Sequence, residues 1–587
     1  MPITSRSKTV PASLQSSFLT LATLLVLAGC GAGSDQNGSS AQAGPSAATE
    51  DGRAQIASVP DANGNYPDWR GLYPDANGRY PDWRGYYPDA QGRYPDYNGL
   101  YPDTAGRYPD YRGLYPDEQG RYADWRGFYP DASGQYPTDA QASVIKNEFG
   151  WARNYSTAGF IDTSTNNPFF KPFGNGRSCG TCHDPAEGFT ITPKGLQDRF
   201  ARTNGDDPIF RQVDGTNSPN APVGTLEEKR AAYSMLLDKG VIRIGLKIPA
   251  NAQFELVSVQ DPYGYASANE LSLFRRVLPS TNLPFLGTVM WDGRESLQLG
   301  PNATPYCLTG NQICFDFPFT NSLKTQAQNA TTGHAQFAQG LSAAEQQAIV
   351  DFETKLFTAQ EYDNKAQFLM SAKGKGGTKE LSKVDYYFDI NGFLDPRTGQ
   401  PGNKLTTMQV FSQWLTNPGS ADPAVAAARA SIARGEKIFN TKTFTMVGVA
   451  GTNGNTILNA TCTNCHKTPQ VGSLSVPNLF NIGAADPAWN PRNDLPLYTL
   501  RNTVVGSTNF GRIIQTYDPG LALNTGRWGD IGKVKVPSMR GLATRAPYFH
   551  NGTLKTVEDT TDFYIRRFNM VMTPQEIADL NTYLKSL

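Results

Sequence analysis

Histidine is scarce in this chain, four in 587 residues, and so is cysteine, at seven. Few residues can therefore ligate a metal, and each one is individually informative. Charge of one sign is also missing: Lys plus Arg and Asp plus Glu are 53 each. That balance leaves no strong field to steer a nucleic acid, so no nucleic-acid partner is expected. Long apolar runs are absent too. The longest near the N-terminus, residues 18–28 behind Arg6 and Lys8, is too short to span a bilayer and reads as a secretion signal. At this length the chain has material for two or three domains with real cores.

What the chain does contain is Cys-x-x-Cys-His, twice: Cys179-Gly180-Thr181-Cys182-His183 and Cys462-Thr463-Asn464-Cys465-His466. This is the attachment signature of a covalently bound c-type haem, the thiols adding to the vinyl groups and the histidine supplying the proximal iron ligand. A zinc half-site or a dithiol redox pair is the competing reading. The copies lie 283 residues apart, from Cys179 to Cys462, and both carry the trailing histidine, which favours two haems. The tetrapeptide Leu27-Ala28-Gly29-Cys30 resembles the bacterial lipoprotein cleavage box. That resemblance implies a lipidated Cys30 and anchoring to the outer membrane, in the periplasm or at the cell surface; an ordinary signal peptide with a free thiol is the alternative. Cys307 and Cys314 then remain, and in an oxidising compartment they most simply form a disulfide.

Residues 1–29 read as the signal and 30–58, rich in Gly, Ser, Ala and Gln, as a flexible linker. Residues 59–135 hold eleven seven-residue units of the form Tyr-Pro-Asp-x-x-Gly-x, so 59–138 is a repeat segment. Proline every seven residues forbids a coiled coil, and Pro, Asp and Gly at fixed places predict a string of turns. Its aromatic residues could contact a polymer, a partner or the protein's own surface, its aspartates could hold calcium weakly, or the segment could be a semi-rigid spacer. Beyond it, helical spacing is read over 344–372, a domain boundary at the Gly/Lys-rich 373–379, and helices over 422–439 and 574–587, the last with Thr573 and Glu576 as a capping box. The expected fold is mainly α, with two cytochrome c-like haem domains packed together at 139–395 and 396–587.

Around the first attachment motif stand Asn175-Gly176-Arg177-Ser178 and, later, Trp291-Asp292-Gly293-Arg294. Around the second come Val536-Pro537-Ser538-Met539-Arg540-Gly541 and Ala546-Pro547-Tyr548-Phe549-His550-Asn551-Gly552. Together, over residues 145–587, these resemble the bacterial di-haem cytochrome c peroxidase and MauG superfamily. The resemblance implies a catalytic, peroxide-binding N-terminal haem and an electron-exchanging C-terminal one. It implies haem contacts from Arg294 and His550, and Trp291 placed between the haems; a tryptophan merely packed beside a porphyrin is the other reading. No histidine lies between His183 and His334, so the first haem lacks the blocking ligand of members that need reductive activation. The usual Ser-Leu, Gln and catalytic Glu pattern is interrupted by an insertion at 297–320, resumes at Ser322-Leu323 and Gln326, and then has Gln336 where the Glu belongs. Gln cannot shuttle a proton, whereas His334, two positions earlier, can; it could equally be a surface histidine.

At the second haem, Tyr564 falls where peroxidases place a Met ligand and MauG a Tyr. Met570, Met572 and a core tyrosine without iron contact are the competing readings. The resemblance also implies a calcium between the haem domains, which is open here because Arg545 replaces a residue type that would help hold it while the Pro547 carbonyl remains available. The implied function is a di-haem oxidoreductase reducing hydrogen peroxide, or using it to oxidise a protein or organic substrate. Its electrons would come from that substrate or from a small redox protein, a cytochrome c or cupredoxin. A rubber-oxygenase-like di-haem dioxygenase and a non-enzymatic surface electron-transfer or attachment cytochrome are the alternatives.

Overall fold

The computed structural model describes residues 60–96, 99–110, 114–124, 129–130, 132–136, 143–297, 306–308, 313–315, 319–390, 407–452 and 456–587. The proposed signal, linker and Cys30 lie outside these. The chain divides after Tyr73 into two compact units, of which the first is described only over 60–73, as turns of the repeat.

In the repeat, one rule closes the turns among the described residues. The Gly amide donates to the Asp carbonyl (Gly92 to Asp89, 2.9 Å), and one Asp carboxylate oxygen accepts the amides two and four residues on (Gln91 and Arg93 to Asp89, both 2.9 Å). Gly92 sits at φ +81°, a conformation in which a side chain is strained. The turns then stack. Tyr94 donates its hydroxyl to the Tyr80 carbonyl at 2.8 Å, Tyr108 to Tyr94 at 2.9 Å and Tyr122 to Tyr108 at 3.1 Å, each fourteen residues back. Two units thus complete one turn of a coil, with Pro88, Pro95, Pro102 and Pro109 buried along its inside. The string of turns read from the sequence is an ordered stack.

The rest of the chain is mixed α/β, which corrects the expectation of a mainly α fold. Eleven α-helices and fifteen strands occur among the described residues. Strand β1 (Val144–Asn147) pairs with β2 (Gly150–Ser156), which pairs with β3 (Leu356–Asp363), and β3 with β4 (Gln367–Phe368), in one antiparallel sheet. The helix expected over 344–372 therefore stops at Glu353, and its second half is strand. The sequence misleads there because β3 is buried on both faces and carries no alternation, so its apolar residues mimic a helical stripe. The Gly/Lys-rich stretch is packed: a Cβ on Gly374 would lie 2.7 Å from Trp414 and 2.4 Å from the Leu369 carbonyl.

Helix Pro423–Thr441 starts at Asp422, whose carboxylate accepts from Ala424, and its buried face packs on helix Pro574–Lys585. The latter carries the Thr573/Glu576 capping box. The two haem-motif halves share structure. Strand Phe254–Gln260 from the first half pairs with Leu497–Asn502 from the second, which pairs with Ile513–Thr516. The Leu587 carbonyl accepts from Gln360 at 3.3 Å and Gly541 at 2.8 Å, fixing the C-terminus against both halves. No helix among the described residues is long and apolar enough to cross a membrane.

Candidate functional site

Both attachment motifs fold the same way, for the same local reason. The residue before each caps a short helical turn: the Ser178 amide donates to Thr181 Oγ1 at 2.9 Å, and the Thr461 amide to Asn464 Oδ1 at 2.7 Å. The chain then doubles back, and a carbonyl six residues beyond each histidine returns to it. His183 Nδ1 lies 3.1 Å from the Phe189 oxygen and His466 Nδ1 lies 2.6 Å from the Gly472 oxygen. A carbonyl only accepts, so Nδ1 carries the proton in both rings and Nε2 is left as a ligand. Phe169 and Phe439 brace the two imidazoles at 6.1 and 6.0 Å. Burial pushes His183 down to about 4 and the Cys179 and Cys462 thiols up to about 12.

Each motif lines its own cavity, of about 180 Å³ at His183 and about 200 Å³ at His466. Their walls are mainly apolar, each with two thiols and the histidine of its attachment motif, whose Nε2 is available. These donor sets fit two c-type haems, held through Cys179, Cys182 and His183 and through Cys462, Cys465 and His466.

The first cavity is walled by helix Phe319–Gly333, which turns Leu323, Gln326, Ala327 and Ala330 towards it at helical spacing. His334 continues that stripe one turn beyond Ala330 and also lines the cavity. Its Nδ1 lies 2.5 Å from Asp214 Oδ2, and the other oxygen of Asp214 lies 2.7 Å from Arg177 Nη1. Asp214 is 4 % exposed. Burial raises its carboxyl, but the bond to His334 and the Arg177 charge together hold it below its ordinary value. Gln336 is exposed, accepts from Asn175 at 3.0 Å and is not on the cavity wall. Arg294 is on the wall and donates to Asp292 at 3.1 and 3.2 Å. So is Glu353, a buried carboxyl pushed up to about 8 by burial, one of whose oxygens has no hydrogen-bond partner.

Trp291 lines both cavities. Its Nε1 donates to the Arg276 carbonyl at 2.8 Å, and its ring meets His550 edge-on at 6.2 Å. His550 lines the second cavity, is 1 % exposed, and is pushed down to about 4 by burial, the Asp518 carboxylate 3.6 Å away opposing. Behind them Arg275 is clamped between Asp292 at 2.5 Å and Asp518 at 2.8 Å, all three buried. Lys535 also lines both cavities. Its Nζ donates to the Thr288 carbonyl at 2.9 Å, and burial brings it down to about 7. In the second cavity Tyr564 stacks near Phe568, and burial pushes its phenol up; Met570 and Met572 share that wall.

Sequence reading had no signal for Asp214, Glu353 or Lys535, because each reaches its cavity only through the fold. Arg177 was quoted only as part of a motif. Cys307 faces Cys314 across the hairpin of Tyr306–Leu308 and Ile313–Phe315, and Cys314 is disulfide-bonded. Arg545, expected near a calcium, is buried, and its guanidinium donates to the Ser538 carbonyl at 2.7 Å and the Gly541 carbonyl at 3.2 Å. A buried cation repels a second one, and no cluster of three acidic, histidine or cysteine side chains exists among the described residues.

No family model matches the chain. Over 105 residues it is 32% identical to the cytochrome-c peroxidase IdrP1 of Denitromonas iodatirespirans, covering 18% of this chain and 28% of that protein. It is 30% identical over 111 residues to the IdrP1 of Pseudomonas sp. (strain SCT), with the same coverage. A crystal structure of a MauG-like protein associated with microbial copper homeostasis aligns at 16% identity over 55% of this chain and 75% of that one, with a TM-score of 0.27. The chain thus spans 28% of the length of the curated relatives it matches, and it is a weak homologue of proteins named cytochrome-c peroxidase.

Proposed function

We propose that the chain is a two-haem c-type oxidoreductase that reacts with hydrogen peroxide in the His183 cavity. The observation that carries this reading is the pair of cavities, each with its own attachment motif, sharing Trp291 as a common wall. When bound, the haems supply the electron storage and peroxide reduction that side chains cannot. The electrons come from a small redox protein such as a cytochrome c or cupredoxin, or from a protein or organic substrate. A lipidated Cys30 would tether the enzyme in the cell envelope.

The chain's own residues supply proton transfer and position. His334, with Nδ1–H held by Asp214, presents Nε2 as a base in the first cavity. There it takes the proton from one peroxide oxygen and returns it to the other, the role the missing glutamate leaves open. Asp214 fixes the tautomer and stabilises the imidazolium that forms, as a buried carboxylate does for a catalytic histidine. Gln326, on the same wall, is placed to orient peroxide by hydrogen bonding. Trp291, on the wall of both cavities, would serve as an aromatic relay for an electron passing between the haems.

The test is peroxide turnover by the purified two-haem protein with a reduced small cytochrome as donor. His334→Ala should lower kcat/KM by roughly 10²–10⁴-fold. Asp214→Asn should lower it less and change its pH profile, while both variants keep two haems by haemochrome assay. Wild-type kinetics in His334→Ala would remove the acid/base assignment. Absence of turnover in the wild type with either a cytochrome or aromatic donors would remove the enzyme reading.

A further inference from the structure

The repeat contains its own control for which residues the coil needs. Alternate units carry Ala90, Thr104 and Glu118 at their fourth position, and Asp89, Asp103 and Asp117 close the turn there as Asp82 does beside Trp83. An aromatic ring at that position is therefore not required for folding. The intervening units nevertheless have Trp83, Tyr97, Tyr111 and Trp125 in register. Trp83 is 73% exposed. The tyrosines opening these four units, Tyr80, Tyr94, Tyr108 and Tyr122, and Tyr136 at the next such position, are each 39–47% exposed, one per turn. With fourteen residues per turn, these tyrosines recur in one row along the coil.

The row is rigid and lies in a repeat with more acidic than basic residues, nine against six from Tyr80 to Tyr136. Each tyrosine from Tyr94 to Tyr136 is fixed by its hydroxyl on the carbonyl one turn back. The arginines have paired charges: Arg79 with Asp75, Arg84 with Asp82, Arg93 with Asp89, Arg107 with Asp103 and Arg121 with Asp117. Arg84 also donates to the Pro95 carbonyl at 2.7 Å and lies against the Trp83 and Tyr86 rings. Spent guanidinium groups do not attract phosphate, so the row is unsuited to nucleic acid or a polyanion. Immobilised rings exposed in a periodic line suit a linear, uncharged ligand whose units present apolar faces.

We propose that this aromatic row binds an uncharged polysaccharide, with the C–H faces of successive sugar rings stacked on Trp83 and the row of tyrosines. Each contact is weak, and affinity comes from many occupied at once on one chain. This places the haem enzyme on a glycan matrix, independently of what the haems do.

The test is co-sedimentation of the full chain with cellulose and chitin, and its retardation in gels containing a soluble β-glucan or a galactomannan. Retention is expected on at least one of these. Trp83→Ala should weaken it, and the pair Tyr94→Ala, Tyr108→Ala should weaken it further, by roughly five- to tenfold. The pair Tyr94→Phe, Tyr108→Phe keeps the rings and should retain binding, which separates ring stacking from coil stability. Haem spectra should be unchanged in all. Failure to bind all four polymers, equal retention by the alanine variants, or preference for a hydrocarbon emulsion overturns the proposal. So does a dimer in sedimentation that Trp83→Ala abolishes, since a second copy would then be the occupant.

Discussion

Replacing Glu353 by Gln should stabilise the protein, by an amount that grows with pH. The carboxyl is 4 % exposed and, from an ordinary 4.5, is pushed to about 8 by burial alone. Below pH 4.5 it is neutral in both folded and unfolded chains and costs nothing. Between 4.5 and about 8 the unfolded chain gives up this proton while the folded protein keeps it, so rising pH favours unfolding. At ~1.4 kcal/mol per pH unit the accumulated cost approaches about 5 kcal/mol by pH 8 and stays below ~1 kcal/mol at pH 5. Gln has the same shape and never ionises, so it escapes the whole of this cost. Guanidinium unfolding at pH 5 and pH 8.5, followed by far-ultraviolet circular dichroism, should show a midpoint gain at the higher pH and almost none at the lower. An equal gain at both values, or none at pH 8.5, would refute the claim that Glu353 is held neutral by desolvation. The same neutrality leaves a protonated carboxylic acid on the wall of the His183 cavity at pH 7.

Two further predictions follow from the wall between the cavities and from the second cavity. Arg275→Met leaves Asp292 and Asp518 buried without their shared cation and should cost about 3–5 kcal/mol in denaturant unfolding, whereas a loss below ~1 kcal/mol would show that water already reaches the pair. Tyr564→Phe should alter the electronic and spin-resonance spectra of the second haem if the phenol is its sixth ligand, whereas unchanged spectra, with a change in Met570→Ala or Met572→Ala, would assign that place to a thioether.

Local chemistry was legible in the sequence. The attachment motifs, the Thr573/Glu576 cap, the start of helix Pro423–Thr441 at Asp422 and the proline–aspartate–glycine turns depend on residues within one turn of one another. Their geometry is set by hydrogen bonds that short segments make for themselves. Even the fourteen-residue period was present, as alternation between aromatic and non-aromatic residues at the fourth position of the units, although only the Tyr-to-carbonyl ladder showed that the turns stack.

Other features existed only once the chain had folded. The stretch Leu356–Asp363 is strand because Gly150–Ser156 lies alongside it, a partner some two hundred residues earlier that no periodicity announces. Asp214 meets His334 across 120 residues, and Trp291 in the first half lines both cavities with its carbonyl accepting from the Lys535 amide of the second. The sequence determined where the two Cys-x-x-Cys-His motifs stand, and that the segment before them would turn every seven residues. Tertiary structure decided which side chains face each cavity, because burial and charge pairing between distant segments depend on contacts that sequence spacing does not encode.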